Sequence, residues 1–197
     1  MEFVYFFIVF FFAVLCVAEF GLWRQNPYRL RSRSFDEEKV VEVHHVRGWA
    51  PKKNIDFDFY HRYLPYVNKV HFNSLGMHEQ REYSVTKSRD VFRVALFGDT
   101  CAVGYELNAN ETIAAQLKKE LSNSITGRQI EVMNVAARNY CTLQLFNWYK
   151  EEIAKFKPDM VLYLFVTNHP RRNITFHESG KPRVFSQPLL RLHSKKM

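Results

Sequence analysis

The stretch Val91-Phe92-Arg93-Val94-Ala95-Leu96-Phe97-Gly98-Asp99-Thr100 decides the fold. An apolar run with a single Arg ends abruptly in Gly98-Asp99-Thr100, which reads as a strand running into a turn. Downstream, Asn110-Glu111-Thr112 starts a helix in which Ile113, Leu117 and Leu121 recur every four residues while Lys118, Lys119 and Glu120 face outward. Ile130 to Val135 reads as a second strand. Thr142 then caps a second helix with an apolar face of Phe146, Tyr149, Ile153 and Phe156, stopped by Lys157-Pro158. Met160 to Val166 is apolar at every position, the pattern of a central strand covered on both faces. We therefore expect strands at 91–97, 130–135 and 159–166 and helices at 111–122 and 142–156. This alternation implies an α/β fold, a three-layer α/β/α sandwich with a parallel sheet and right-handed crossovers. Ligands bind such sheets beyond the carboxyl ends of the strands. Those ends carry Gly98-Asp99-Thr100, Asn134 to Asn139, and Thr167-Asn168-His169, which should converge.

Residues 24–90 read as a polar connector before the 91–197 domain. Lys39 to Val46 alternates like an edge strand, and Gly48-Trp49-Ala50-Pro51 reads as a turn. His44, His45, His61, His71 and His78 lack helical i,i+4 pairing and carboxylates at ligand spacing, so they read as surface or packing histidines. Neither a metal nor a cofactor is expected.

Residues 1–23 read as a single transmembrane anchor. Phe3 to Ala18 are sixteen consecutive apolar residues, and a helix from Met1 to Trp23 would span ~33 Å against a bilayer core of about 30 Å. Cys16-Val17-Ala18 resembles a signal-cleavage site. No Lys or Arg precedes the apolar run, however, which favours an uncleaved anchor with Trp23 and Arg24 at the interface. Arg24, Arg29, Arg31 and Arg33 follow the run, and by the positive-inside rule they place the globular part in the cytoplasm.

Composition removes several classes. With 197 residues, 24% charged and 47% apolar, the chain is neither collagen nor a low-complexity disordered polymer. Cys16, Cys101 and Cys141 form no C-x-x-C pair, which excludes a disulfide-rich mini-protein and a cysteine zinc module. The net charge of +8 comes without aromatics interleaved along a basic stripe. No nucleic-acid partner is expected, and the excess suits a membrane surface or a solvated face.

Taken in order, these loops resemble the SGNH/GDSL hydrolase superfamily. Its first block is a strand followed by Gly-Asp-Ser and a loop with Gly; here Val94 to Phe97 leads into Gly98-Asp99-Thr100, with Val103-Gly104-Tyr105 after it. Asn134 and Asn139 occupy the Asn and Gly positions of the second block, and Asn168 the Asn of the third. Asn73-Ser74-Leu75-Gly76, and Glu19 with Arg24, are similar to features of long membrane-anchored members. The resemblance implies a flavodoxin-like sheet, incomplete here at its C-terminus, and an extracytoplasmic domain. It also implies a lineage that hydrolyses or transfers acyl esters on carbohydrate or lipid. It assigns Thr100 to the nucleophile position, Asn139 and Asn168 to oxyanion positions, and Gly98 and Asp99 to the scaffold of the turn.

The departures point to a chain inactive alone. Thr100 replaces Ser, Asn139 replaces Gly, and no Asp-x-x-His follows Asp159. A hydroxyl without a base is a poor nucleophile, and losing a triad member costs about four to six powers of ten. We expect no His–carboxylate pair beside Thr100, a solvent-exposed His169, and Cys101 as buried packing. His177 and His193 are the other downstream histidines. Gly98 to Gly104 lacks the Gly-Lys-Ser/Thr of a phosphate loop. A non-catalytic binding or assembly module on the same fold, and a fragment of a longer enzyme, both remain open. The sequons at Asn110 and Asn173 do not fix the membrane side.

Overall fold

The computed structural model describes residues 2–25, 39–61, 66–170 and 172–173. Arg29, Arg31, Arg33, His177 and His193 lie outside them. The elements run α1 (Glu2–Gln25), β1 (Val41–His44), β2 (Gly48–Pro51), β3 (Ile55–Tyr60), β4 (Val67–Phe72), β5 (Val91–Gly98), α2 (Thr100–Val103), α3 (Ile113–Ser124), β6 (Gln129–Ala136), α4 (Thr142–Trp148) and β7 (Met160–Tyr163). The chain divides into two compact units, Met1–Asp36 with Tyr60–Val67, and Glu37–Phe59 with Asn68–Met197.

The first unit contains α1, 24 residues and so about 36 Å long. Its Phe10, Phe11, Phe12, Val17, Phe20 and Leu22 are exposed. Among the described residues no helix is long and apolar enough to cross a membrane. The transmembrane helix expected over residues 1–23 is therefore not supported among the described residues.

In the second unit, β5 lies between β6 and β7, and both pairings are parallel. The mixed α/β architecture and the parallel three-stranded sheet thus match the sequence reading. Val94 and Leu96 of β5 pack with Ile130, Val132 and Ala114, and Leu117, Leu121 and Leu162 close around them. Burying each such side chain is worth about 1.5–3 kcal/mol. Strand side chains alternate between faces, so Phe97 points the other way and meets Tyr149 edge-to-face. Arg93, the one charge in this strand, is buried against Glu131, its register partner on β6, with Nε–Oε2 at 2.6 Å. Its Nη1 donates to the carbonyls of Ser84 and Phe156.

Several local expectations need correction. Met160 to Val166 was expected as the central strand, but β5 is central and β7 flanks it. A run that is apolar at every position records hydrophobicity, not which strand lies beside it. The helix expected at 111 starts at Ile113, because Thr112 rather than Asn110 supplies the cap: its Oγ1 accepts the Ala115 N–H. The helix expected over 142–156 is regular only to Trp148. A π turn over Tyr149–Ile153 and a 3-10 turn over Ala154–Phe156 follow. Leu145, Trp148, Ile153 and Phe156 are buried, whereas Phe146, which lies ahead of the wider turn, is 52% exposed. Gly48-Trp49-Ala50-Pro51 is the buried strand β2, paired antiparallel with β1, not a turn.

The stretch read as a polar connector contributes Trp49, Phe72 and Met77 to the core. Trp49 meets Tyr140 with ring centroids 4.6 Å apart. Arg47, in the β1–β2 turn, is buried over the Trp148 ring and reaches Glu151 and Glu152. Asn73 ties a tight loop, accepting from the Leu75 and Met77 N–H groups and donating to the Arg81 carbonyl. Gly76 has φ +76° there, and a Cβ on it would stand 3.0 Å from the Pro51 carbonyl. His78 is buried, with Nδ1 at 2.9 Å from the Val103 carbonyl.

Candidate crevice at the carboxyl ends of the strands

The first wall is the turn that leaves β5. A Cβ at Gly98 would stand 2.4 Å from the Ala102 Cβ, so the turn into α2 closes only around glycine. Asp99 caps α2, its Oδ1 accepting the Cys101 N–H at 3.3 Å. Its Oδ2 accepts from Arg172 Nη1 at 2.8 Å. Thr100 is the first residue of α2 and is half-buried. Cys101, expected as buried packing, is exposed, because the short α2 turns its buried side through Ala102 and Val103. Cys141 is the buried thiol, and burial pushes its pKa up.

The second wall is the loop after β6. Asn139 is exposed and has φ +61°. This left-handed conformation suits glycine best and, among other residues, asparagine. Asn139 therefore holds a glycine-like backbone, and its N–H donates to Thr100 Oγ1 at 3.3 Å.

The loop after β7 forms the third wall. Asn168 is exposed, and its carbonyl accepts the Arg172 N–H at 3.1 Å. Thr100 and Asn139 are thus in hydrogen-bond contact, while among the described residues the Asn168 amide bonds to neither.

His169, expected in solvent, is fully buried. Its ring stacks on Tyr163 at 5.5 Å, and Tyr163 Oη and His169 Nδ1 are hydrogen-bonded. Tyr163 Oη also lies 2.7 Å from Thr142 Oγ1. On the other side of the imidazole, Nε2 faces Asp99 Oδ2 at 3.4 Å. Asp99, the residue before Thr100, therefore does face a histidine, which was not expected. Neither nitrogen is bonded to Thr100 Oγ1: Nδ1 is bonded to Tyr163 and Nε2 faces Asp99. Burial holds the Tyr163 phenol above its usual pKa.

Tyr163, Thr142 and Arg172 were missed as crevice residues in the sequence. Tyr163 had a readable signal, because a strand ending level with Phe97 delivers its last side chain to the same end of the sheet. Arg172 had none, since its partner Asp99 lies 73 positions away. Among the described residues no three of His, Cys, Asp and Glu gather as a metal site. A cavity of about 230 Å³ opens away from the crevice, beside the outer edge of β6, lined by Glu79, Tyr83, Thr112, Lys118 and Asn134 among others. No protein-family model and no curated protein matches this chain.

Proposed function

We propose that this chain is a membrane-associated protein of SGNH/GDSL hydrolase-like design whose crevice binds an acyl ester carried on carbohydrate or lipid and does not use Thr100 as a nucleophile. The observation that carries the reading is the state of the Thr100 hydroxyl. It accepts an N–H from Asn139, and the His169 imidazole is hydrogen-bonded to Tyr163 and faces Asp99 rather than Thr100. An oxygen with no proton acceptor gains little reactivity. The Thr100 backbone N–H, with the exposed Asn168 amide, suits a carbonyl oxygen. Helical segments against both faces of the sheet agree with a flavodoxin-like three-layer sandwich. The apolar run Phe3–Ala18 and the exposed aromatics of α1 support membrane attachment through residues 1–23. The order of anchor, lead-in and domain favours the outer face.

The test uses full-length protein in detergent with a fluorophosphonate probe. No adduct should form on Thr100, and Thr100→Ala should leave ester turnover at background. Turnover abolished by Thr100→Ala would overturn the reading. Full-length protein should pellet with membranes, and recovery entirely in the high-speed supernatant would remove the anchor.

A further inference from the structure

We propose that Tyr163 is the activated hydroxyl of this crevice, a phenol poised to accept an acyl group with His169 as its base and Asp99 as the group that orients the base. The acyl class rests on the binding reading above; the assignment of the hydroxyl rests on geometry alone. His169 is fully buried and presents opposite ring edges to two different partners. One nitrogen faces a carboxylate, Nε2 to Asp99 Oδ2 at 3.4 Å. The other, Nδ1, is hydrogen-bonded to the phenol of Tyr163. The partners assign the tautomer: a proton on Nε2 faces the anion, and the lone pair on Nδ1 accepts the phenolic O–H. This is the logic of carboxylate, imidazole and hydroxyl in series, with tyrosine at the end of the series.

Two further features suit a nucleophile. The Tyr163 side chain is 38% exposed, open to a ligand, while its base is fully buried. Thr142 Oγ1 stands 2.7 Å away and can donate to the charge that develops on the phenolic oxygen. Among the described residues His169 Nε2 has no hydrogen-bond partner. A short inward movement of Asp99 would complete that bond, as apo catalytic contacts often tighten only with ligand present. Arg172 Nη1 holds the same Asp99 oxygen from outside. Burial keeps the phenol protonated at rest, so the proton must leave as the attack proceeds.

The step balances. The Tyr163 oxygen forms a bond to the acyl carbon, and the phenolic proton passes to His169 Nδ1. The ester C–O bond breaks, and the departing alkoxide takes the proton from His169. The products are an O-acyl tyrosine and a free alcohol.

The experiment treats full-length protein in detergent with an aryl sulfonyl fluoride at neutral pH and maps adducts by peptide mass spectrometry. In this probe reaction the phenolic oxygen bonds to sulfur, fluoride leaves, and the proton goes to the imidazole. Tyr66, 39% exposed, is the internal reference of equal accessibility. Tyr163 should react at least about tenfold faster than Tyr66, and His169→Gln should remove most of that advantage, since a positioned base contributes about 10²–10⁴. Thr142→Val should lower the rate by a smaller factor. With p-nitrophenyl acetate, the acetyl group should appear on Tyr163 at up to one equivalent. Equal rates at Tyr163 and Tyr66 in the unaltered protein would overturn the proposal without any variant having to fold. So would an unchanged Tyr163 rate in a folded His169→Gln protein. An adduct on Thr100 would instead strike the binding reading and leave the phenol's rate to be judged separately.

Discussion

The two flanks of the three-stranded sheet are finished in opposite ways. Along β6, side chains from the lead-in segment take the place of another strand. Glu79 Oε1 accepts the Asn134 N–H at 3.3 Å, and the Tyr83 hydroxyl lies 2.8 Å from the Val132 carbonyl and 2.6 Å from Glu79 Oε2. Beneath them Glu131 holds both Arg93 and Arg81. On β7 and the chain just beyond it, Val161, Tyr163 and Phe165 alternate onto one face and are 50%, 38% and 57% exposed. An edge can be closed by polar side chains that satisfy its backbone groups. The contrast assigns stability to one flank and accessible chemistry to the other.

The hardest blow to the β6 flank is Arg93→Ala. It leaves Glu131 with Arg81 alone and takes the donor from the Ser84 and Phe156 carbonyls, and it should lower unfolding free energy by about 3–5 kcal/mol in urea titration. A loss under about 1 kcal/mol would show that the flank is not held by this pair.

Tyr83→Phe is next. It removes the donor to Glu79 and Val132 and should cost about 1–3 kcal/mol. Glu79 also makes this flank sensitive to pH. Burial pushes its carboxyl from 4.5 up to about 7. The folded state therefore holds the proton more tightly than the unfolded state does. From this group, stability is highest below about pH 4.5, falls as pH rises toward 7, and levels off above it. Glu79→Gln should flatten that slope in denaturation curves taken between pH 5 and 8. An unchanged slope would mean that another group titrates there.

The smallest effect belongs to the β7 flank. Val161→Lys should change stability by no more than about 0.5 kcal/mol. A loss of 2 kcal/mol or more in the same titration would show that this face is covered in solution, and the contrast between the flanks would fall.

The sheet was legible because β5 and β6 combine apolar runs with abrupt polar ends, and the turn at Gly98 announces itself. The elements misread share a different cause. Trp49 and Ala50 sit between glycine and proline, two residues that punctuate turns, so local chemistry concealed a strand stabilised by Tyr140 from far along the chain. In α4 the misassigned side chain is Phe146, while Ile153 and Phe156 are buried as read; the break in the regular helix after Trp148 was not legible because a π turn leaves no mark in residue type. In the crevice, the approach of Asn139 to Thr100 follows from loops at the ends of parallel strands. The burial of His169 does not, because a histidine after an asparagine in a loop says nothing about the tyrosine that stacks on it.

The anchoring of Arg47 by Glu152 has a consequence in time. The two residues are 105 positions apart. A ribosome adding about 5–20 residues per second needs roughly 5–20 s to make the stretch between them. For that interval the β1–β2 hairpin emerges without its acidic clamp, and Trp49 emerges without Tyr140. Contacts this distant in sequence also close slowly when an unfolded chain refolds. The hairpin is thus the first part of the second unit to be synthesised and among the last to be locked, and the burial of Trp49 should report the slowest phase of folding.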